Sequence, residues 1–376
     1  MTAMALDNRG RLILLNVIPD IGSSRLRRLL DAFGDLDRVW RATAQELQQV
    51  EGIGPLLAER IVAGRRNEAA LREELARAKE SGVQIVTLED EGYPEPLRTI
   101  PDPPLALYIR GRLVEADRMA VAIVGARYAS RYGLQCAEHL AYELALRGLA
   151  VVSGLARGID AAAHRGALNA SGRTLAVLGS GFNRLYPPEH TELAKQIAEY
   201  GAVISEYPME IGPLPHNFPR RNRLISGLSL GVVVVEAGPR SGSLITADCA
   251  LEQGREVFAV PGPVTAVTSQ GTHRLIKQGA ALVTSVDDIL DELHLTPQGP
   301  SQVESSEGVV VAVPPPAPEA RVLASLSADH PTEIDAIARH SGLTMPEVSS
   351  TLLQMELKRL VQQLPGKRFI RAGRCR

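Results

Sequence analysis

A chain of 376 residues exceeds one ordinary core and, at about 150 residues per domain, predicts two or three folded units. Apolar residues at 45% and charged residues at 22% exclude the weakly apolar, highly charged composition of a disordered chain. A formal net charge of −2 excludes a chain-wide basic field, so any affinity for nucleic acid has to come from local clusters of arginine.

The N-terminus, MTAMALDNRGRLILLN, sets acidic and basic residues before a short apolar run, and no later stretch approaches the roughly 20 uncharged residues that span a bilayer. No membrane insertion and a cytoplasmic location are expected. Cys136, Cys249 and Cys375 lie far apart without C-x-x-C spacing, which supports neither a disulfide framework nor a zinc site. From residue 12 to 79 apolar positions recur at helical spacing, as in Leu26, Leu29, Leu30 and Phe33 and again in Leu56, Leu57 and Ile61, predicting an all-α region over residues 1–80. Within it, residues 50–61, VEGIGPLLAERI, fit a helix-hairpin-helix. Its glycines permit a tight turn, and Gly54 and Pro55 open the next helix with free N–H groups able to take a phosphate. The turn carries Glu51 and no nearby lysine, so a hairpin that only packs is the alternative; residues 18–22 hint at a second, weaker copy.

Strand-like runs then begin at residues 83–86 and 105–109, joined by a proline-rich connection. Between residues 119 and 293, apolar runs at 121–124, 150–153, 174–178, 202–205, 232–235, 257–260 and 281–283 alternate with helical segments, predicting a doubly wound α/β core over residues 81–295. Residues 296–318, with Pro314, Pro315 and Pro316, predict a linker. Residues 319–376 fit a winged helix: one helix over residues 333–339, a turn at Ser341, Gly342 and Leu343, a second helix from Met345, and a hairpin through Pro365 and Gly366. That second helix offers few groove-reading side chains, so a protein-contact or structural role stands beside DNA binding.

Four segments carry chemistry. Residues 121–130 run a buried strand into a glycine turn at Gly125, which presents N–H groups to an anion at the carboxyl edge of the sheet. Arg127 stands where a dinucleotide fingerprint has its second glycine; its bulk blocks a pyrophosphate backbone, and its guanidinium can hold a phosphate. Residues 153–164 repeat strand, glycine turn and helix; there Asp160 reads equally as a helix cap, Gly158 as a backbone requirement, and His164 as a packed helix residue. Residues 216–229 are the most informative, with three arginines and two asparagines in the seven residues from Asn217 to Arg223, beside Phe218. Guanidiniums pair phosphates, amides meet phosphates or base edges, and an aromatic face stacks an unpaired base. Finally, Ser241, Gly242, Ser243 and Thr246 form an anion nest without the Gly-Lys-Ser/Thr ending of a Walker loop, so neither ATP nor magnesium is implied.

Taken in order, VGARYAS, SGLARGIDAAAH, FPRRNRLISGLS, SGSLITADCALEQGR and VFAVPGPV resemble the DprA/Smf family over residues 80–293. The resemblance implies an extended Rossmann-like core that binds single-stranded DNA as a homodimer and loads RecA during natural transformation and recombination. It also implies an N-terminal SAM-like or helix-hairpin-helix domain, a C-terminal winged helix, no cofactor and no catalytic residue. Single-strand-binding protein is a further implied partner. The DNA pocket so implied comprises Gly125, Arg127, Ser130, Ser153, Gly154, Gly158, Arg173, Asn217, Phe218, Arg220, Arg221, Asn222, Arg223, Ser241, Gly242, Ser243 and Thr246, and positions near Leu275, Ile276 and Leu282 are implied at the dimer face.

Two other readings compete. A nucleoside-monophosphate hydrolase of the lysine-decarboxylase-like group would use Glu206 or Asp248 as general base if buried in the crevice, but its Pro-Gly-Gly-x-Gly-Thr-x-x-Glu loop is missing. A nucleotide-binding interaction scaffold needs fewer cations than the arginine cluster supplies. A strand crossing successive turns could use Arg127, Arg220, Arg221 and Arg223 together.

Overall fold

In the computed structural model, residues 6–295, 322, 325, 326, 332–357, 361–364 and 368–371 are described, and the chain divides into two units, residues 1–302 and residues 303–376. The first unit opens with helices α1 (Asn8–Val17), α2 (Ser23–Phe33), α3 (Leu36–Arg41), α4 (Ala44–Leu47), α5 (Pro55–Gly64) and α6 (Glu68–Glu80). Their starts are set by side-chain caps: Asp7 on α1, Asp35 on α3, and a reciprocal Thr43–Glu46 pair on α4. Leu12, Leu26, Leu29, Leu47, Leu57 and Ile61 close a helical core. On another face, Ile13, Leu14, Leu71 and Ala78 share a core with Ile85, Tyr108 and Val203, so the helical region is seated on the sheet.

The sheet has strands β1 (Gln84–Thr87), β2 (Ala106–Gly111), β3 (Ala120–Val124), β4 (Ala150–Ser153), β5 (Thr174–Val177), β6 (Ala202–Ser205), β7 (Gly231–Val234), β8 (Glu256–Ala259) and β9 (Ala281–Leu282). Their spatial order is β1-β2-β6-β5-β4-β3-β7-β8-β9. From β6 to β9 all neighbours are parallel; β1 and β2 add antiparallel at one edge. At that edge Arg9 donates from Nη2 to the Ile85 carbonyl of β1 at 2.8 Å. Between strands run α7 (Glu95–Arg98), α8 (Arg131–Leu146), α9 (Ile159–Asn169), α10 (Thr191–Tyr200), α11 (Asn217–Gly227), α12 (Gly242–Glu252), α13 (Gln270–Lys277) and, after β9, α14 (Val286–Glu292). Leu224 and Ile225 of α11 and Leu244 and Ala247 of α12 cover one face, and Ala137 and Leu140 of α8 with Ala162 and Ala163 of α9 cover the other. This is the expected doubly wound Rossmann-like core. The chain winds outward from β3 through β4, β5 and β6, then returns to start β7 on the opposite side of β3. A topological switch point therefore lies between β3 and β7, where the flanking loops part and leave a crevice.

The second unit is the expected winged helix. Strands β10 (Thr332–Glu333), β11 (Val361–Leu364) and β12 (Arg368–Arg371) form an antiparallel sheet in the order β10-β12-β11. Helices α15 (Ile334–Ser341) and α16 (Met345–Leu357) are separated by Gly342, at φ 62°, and Val322, Ile337, Val348, Leu352, Met355 and Phe369 make its core. The expected linker at residues 296–318, the hairpin tip at Pro365 and Gly366, and Cys375 lie outside the described residues.

Candidate nucleic-acid interface

A crevice of about 790 Å³ opens at the switch point, lined by Gly125, Arg127 and Tyr128 after β3, Asp160 at the start of α9, Phe218, Arg221 and Asn222 on α11, and Gly238, Arg240, Ser241, Gly242, Ser243 and Thr246 around the start of α12. Two glycines make its walls possible. Gly158 has φ +77° and a Cβ there would lie 2.3 Å from the Ala126 carbonyl oxygen; a Cβ on Gly154 would lie 2.6 Å from Arg221 Nη2. Ser241 caps α12 and its hydroxyl is 2.8 Å from that of Ser243, while Thr246 is buried one turn further on. Gly242 is exposed, and its carbonyl accepts from Asn222 Nδ2 at 3.1 Å, tying α11 to the α12 loop.

The arginines of residues 220–223 divide three ways because successive helix residues point about 100° apart. Arg220 is exposed. Arg221 is buried in the floor: Nη1 donates to the Gly154 carbonyl at 2.7 Å and to that of Val177, and among the described residues Nε has no hydrogen-bond partner. Burial lowers its pKa from the usual guanidinium value, opposed by Asp160; the same burial raises the pKa of the Asp160 carboxyl, opposed by Arg221. Arg223 turns away, bonded to both Glu206 oxygens at 2.9 and 2.7 Å and to Asp102 at 3.3 Å. At the mouth, Arg127 is exposed with its guanidinium 5.3 Å from the Phe218 ring centroid. Phe218 in turn meets Tyr186 edge-to-face at 5.9 Å.

Several residues expected in the pocket hold the framework. Ser130 caps α8, and its N–H and hydroxyl donate to Glu236 at 2.9 and 2.6 Å. Ser153 is buried and donates to the Ile123 carbonyl at 2.6 Å. Asn217 is buried against Gly212. Arg173 stands before β5, at the opposite end of the sheet, with two bonds to Asp117 at 2.7 and 2.9 Å and others to the carbonyls of Tyr200 and Arg112. Near the implied dimer face, Leu275 is buried in the core, Ile276 packs against it, and Leu282 on β9 is exposed.

His164 is packed, as the simpler reading has it, with Nδ1 2.7 Å from Thr174 Oγ1 and its pKa pushed down to about 3 by burial first and by His190 second. Glu206 is tied to Arg223 and Asp248 is exposed on α12; neither lines the crevice that the hydrolase reading requires. Sequence reasoning did not single out Tyr128, whose 87% exposure makes it a free aromatic at the rim, nor Arg240 or Tyr186. Arg240 adjoins Ser241 in the glycine loop, which is a usable signal; Tyr186 has no local one. Among the described residues no helix is long and apolar enough to cross a membrane.

The family model for DNA recombination-mediator protein A matches residues 84–294, that for the DprA winged helix domain matches residues 311–367, and a helix-hairpin-helix model matches residues 11–72. Protein Smf of Escherichia coli is 45% identical over 288 residues, 75% of this chain and 76% of that protein. Protein Smf of Synechocystis is 36% identical across 94% of this chain and 96% of its own length. The crystal structure of DNA processing protein A from Streptococcus pneumoniae superposes with a TM-score of 0.67 at 35% identity, covering 77% of this chain and 99% of that one. A structure of the Helicobacter pylori protein, described by its single-stranded DNA binding mode, gives 0.51 at 31% identity over 57% of this chain and 97% of its own. With its core and both flanking regions matched, the chain belongs to the DprA/Smf family of DNA-processing, recombination-mediator proteins.

Proposed function

We infer that the core binds single-stranded DNA along the carboxyl edge of its sheet and delivers the strand to the recombinase RecA. The observation that carries this reading is the exposed Arg127 guanidinium over Phe218, at the mouth of a crevice with the buried Arg221 cation in its floor. A strand contributes phosphates to Arg127, Arg220 and Arg240 and a base to the Phe218 and Tyr128 faces. The glycine turns at Gly125, Gly154 and Gly242 bring backbone close to it. Ser130, Ser153, Asn217 and Arg223 act by holding that edge in shape, and Arg173 braces the opposite end of the sheet. The H. pylori relative's single-strand binding supports the ligand class; recombinase loading, displacement of single-strand-binding protein, a cytoplasmic homodimer and a non-catalytic role complete the proposal. Residues 1–80, 81–295 and 319–376 serve as its three working parts, with residues 296–318 as the linker before the third.

Fluorescence anisotropy with single- and double-stranded oligonucleotides of equal length, over a salt series, tests the ligand. Single-strand preference is expected, with Arg127→Ala lowering the log–log salt slope by about 0.7, the single-strand coefficient for one phosphate contact. Equal affinity for duplex, or a slope untouched by the substitution, would sink the reading. Loading is tested separately, by the rate at which RecA coats DNA already covered by single-strand-binding protein; no acceleration removes that step alone.

A further inference from the structure

Beyond the crevice the stripe of aromatic and cationic groups continues. Arg157, in the turn after β4, lies 5.7 Å from the ring centroid of Tyr186, in the loop after β5. Tyr186 meets Phe218 at 5.9 Å with the rings inclined at 66°, and Phe218 carries Arg127. Two arginine-on-aromatic pairs therefore stand as consecutive rungs on one sheet edge, and all four residues line a small cavity of about 20 Å³ beside the crevice. In this structure the outer arginine is occupied: its Nε donates to Glu189 and its Nη1 reaches the Tyr186 hydroxyl at 3.4 Å. The ion pair lies in solvent, with side-chain exposures of 44% for Arg157 and 49% for Glu189, so it contributes little to holding the fold.

Resting on the single-strand reading of the crevice, we propose that Tyr186 and Arg157 form a second nucleotide subsite, and that Glu189 is an internal competitor occupying the place of a DNA phosphate on Arg157. A carboxylate and a phosphate both accept from a guanidinium through paired, coplanar oxygens, so one replaces the other while Arg157 stays over its ring. The two rings are inclined at 66°, so bases lying flat on both rungs are not parallel and are unstacked from each other. A free single strand reaches that geometry, whereas a duplex has to melt first. Glu189 sets the threshold: an incoming strand has to displace an existing ion pair and then lie beside the released carboxylate.

The test uses the full chain, anisotropy with oligothymidylates of stepped length, and a salt series. Glu189→Gln is expected to tighten binding about 1.5- to 5-fold, the range for losing an exposed competing ion pair, and to steepen the salt dependence, since no released carboxylate recaptures a cation. Arg157→Ala is expected to flatten the slope, by less than the ~0.7 of a full phosphate contact because Glu189 is then free before binding, and to weaken only strands long enough to pass Phe218. Tyr186→Ala should behave like Arg157→Ala, and Tyr186→Phe like wild type. If Arg127→Ala abolishes binding while Glu189→Gln and Arg157→Ala match wild type at every length and salt, the second subsite is overturned and the crevice reading stands. If the wild type itself shows no preference for single strands, the crevice reading falls and takes this inference with it.

Discussion

Removing the Arg127 side chain takes an exposed cation off the face of Phe218 and leaves no buried group unpaired. Arg127→Ala is therefore expected to change stability by no more than about 0.5 kcal/mol while weakening single-strand binding, checked by melting and anisotropy on one preparation. Arg221→Ala should act differently. Its guanidinium is buried and donates to two backbone carbonyls, and leaving a buried acceptor unsatisfied costs about 1–3 kcal/mol for each. A melting temperature unchanged in Arg221→Ala would contradict a structural floor. His164 adds a pH term. Its folded pKa of about 3 lies below the ordinary 6.5, so between these values the unfolded chain binds the additional proton. Its contribution is fully present above pH 6.5 and declines as pH falls toward 3, by at most about 1.4 kcal/mol per unit. A His164→Gln variant should show a shallower acid decline of stability; identical declines would assign the effect to other groups.

Helix α11 shows what was legible in the sequence and what was not. Residues 217–223 announced an arginine-rich, aromatic segment, and the structure places it on a helix whose Phe218, Arg221 and Asn222 line the crevice. Its division into an exposed Arg220, a floor Arg221 and a tied Arg223 depends on acidic partners far along the chain, which local spacing does not reveal. The strands read more easily: residues 150–153 and 202–205 match β4 and β6, because a central parallel strand buried on both faces is a continuous apolar run. Tyr186 was invisible because its place beside Arg157 and Phe218 comes from tertiary packing alone. The ties of α11 also reach the N-terminal helices. Asp102 accepts from the N–H and hydroxyl of Ser24 on α2 at 2.9 and 2.7 Å as well as from Arg223, and Asn16 of α1 donates to the Glu206 carbonyl at 3.1 Å. Asp102→Ala is thus expected to reduce hydrogen-exchange protection at the start of α2 and in α11, and to lower DNA affinity without altering its salt slope, since no phosphate contact is removed. A changed slope would show that Asp102 acts on the strand's charge instead of on the helix.

For the whole molecule, each unit closes its own hydrophobic core, and in the larger unit the helical region and the sheet share one. The proposed homodimer has its exposed apolar candidate at Leu282, since Leu275 is committed to the interior. Leu282→Arg is expected to yield a monomer by light scattering, and a persistent dimer would place the face elsewhere. The two borders of the nine-stranded sheet are unequal. At β1 the Arg9 side chain already holds the Ile85 carbonyl, whereas β9 is a two-residue strand paired, among the described residues, with β8. A border whose backbone acceptor is taken is a poor template for another strand. A second copy that docks along β9 uses the open border of both chains and leaves the two Arg9-stoppered borders outermost. For the proposed homodimer, docking along β9 therefore predicts an assembly that stops at two copies, and larger species in light scattering would contradict it.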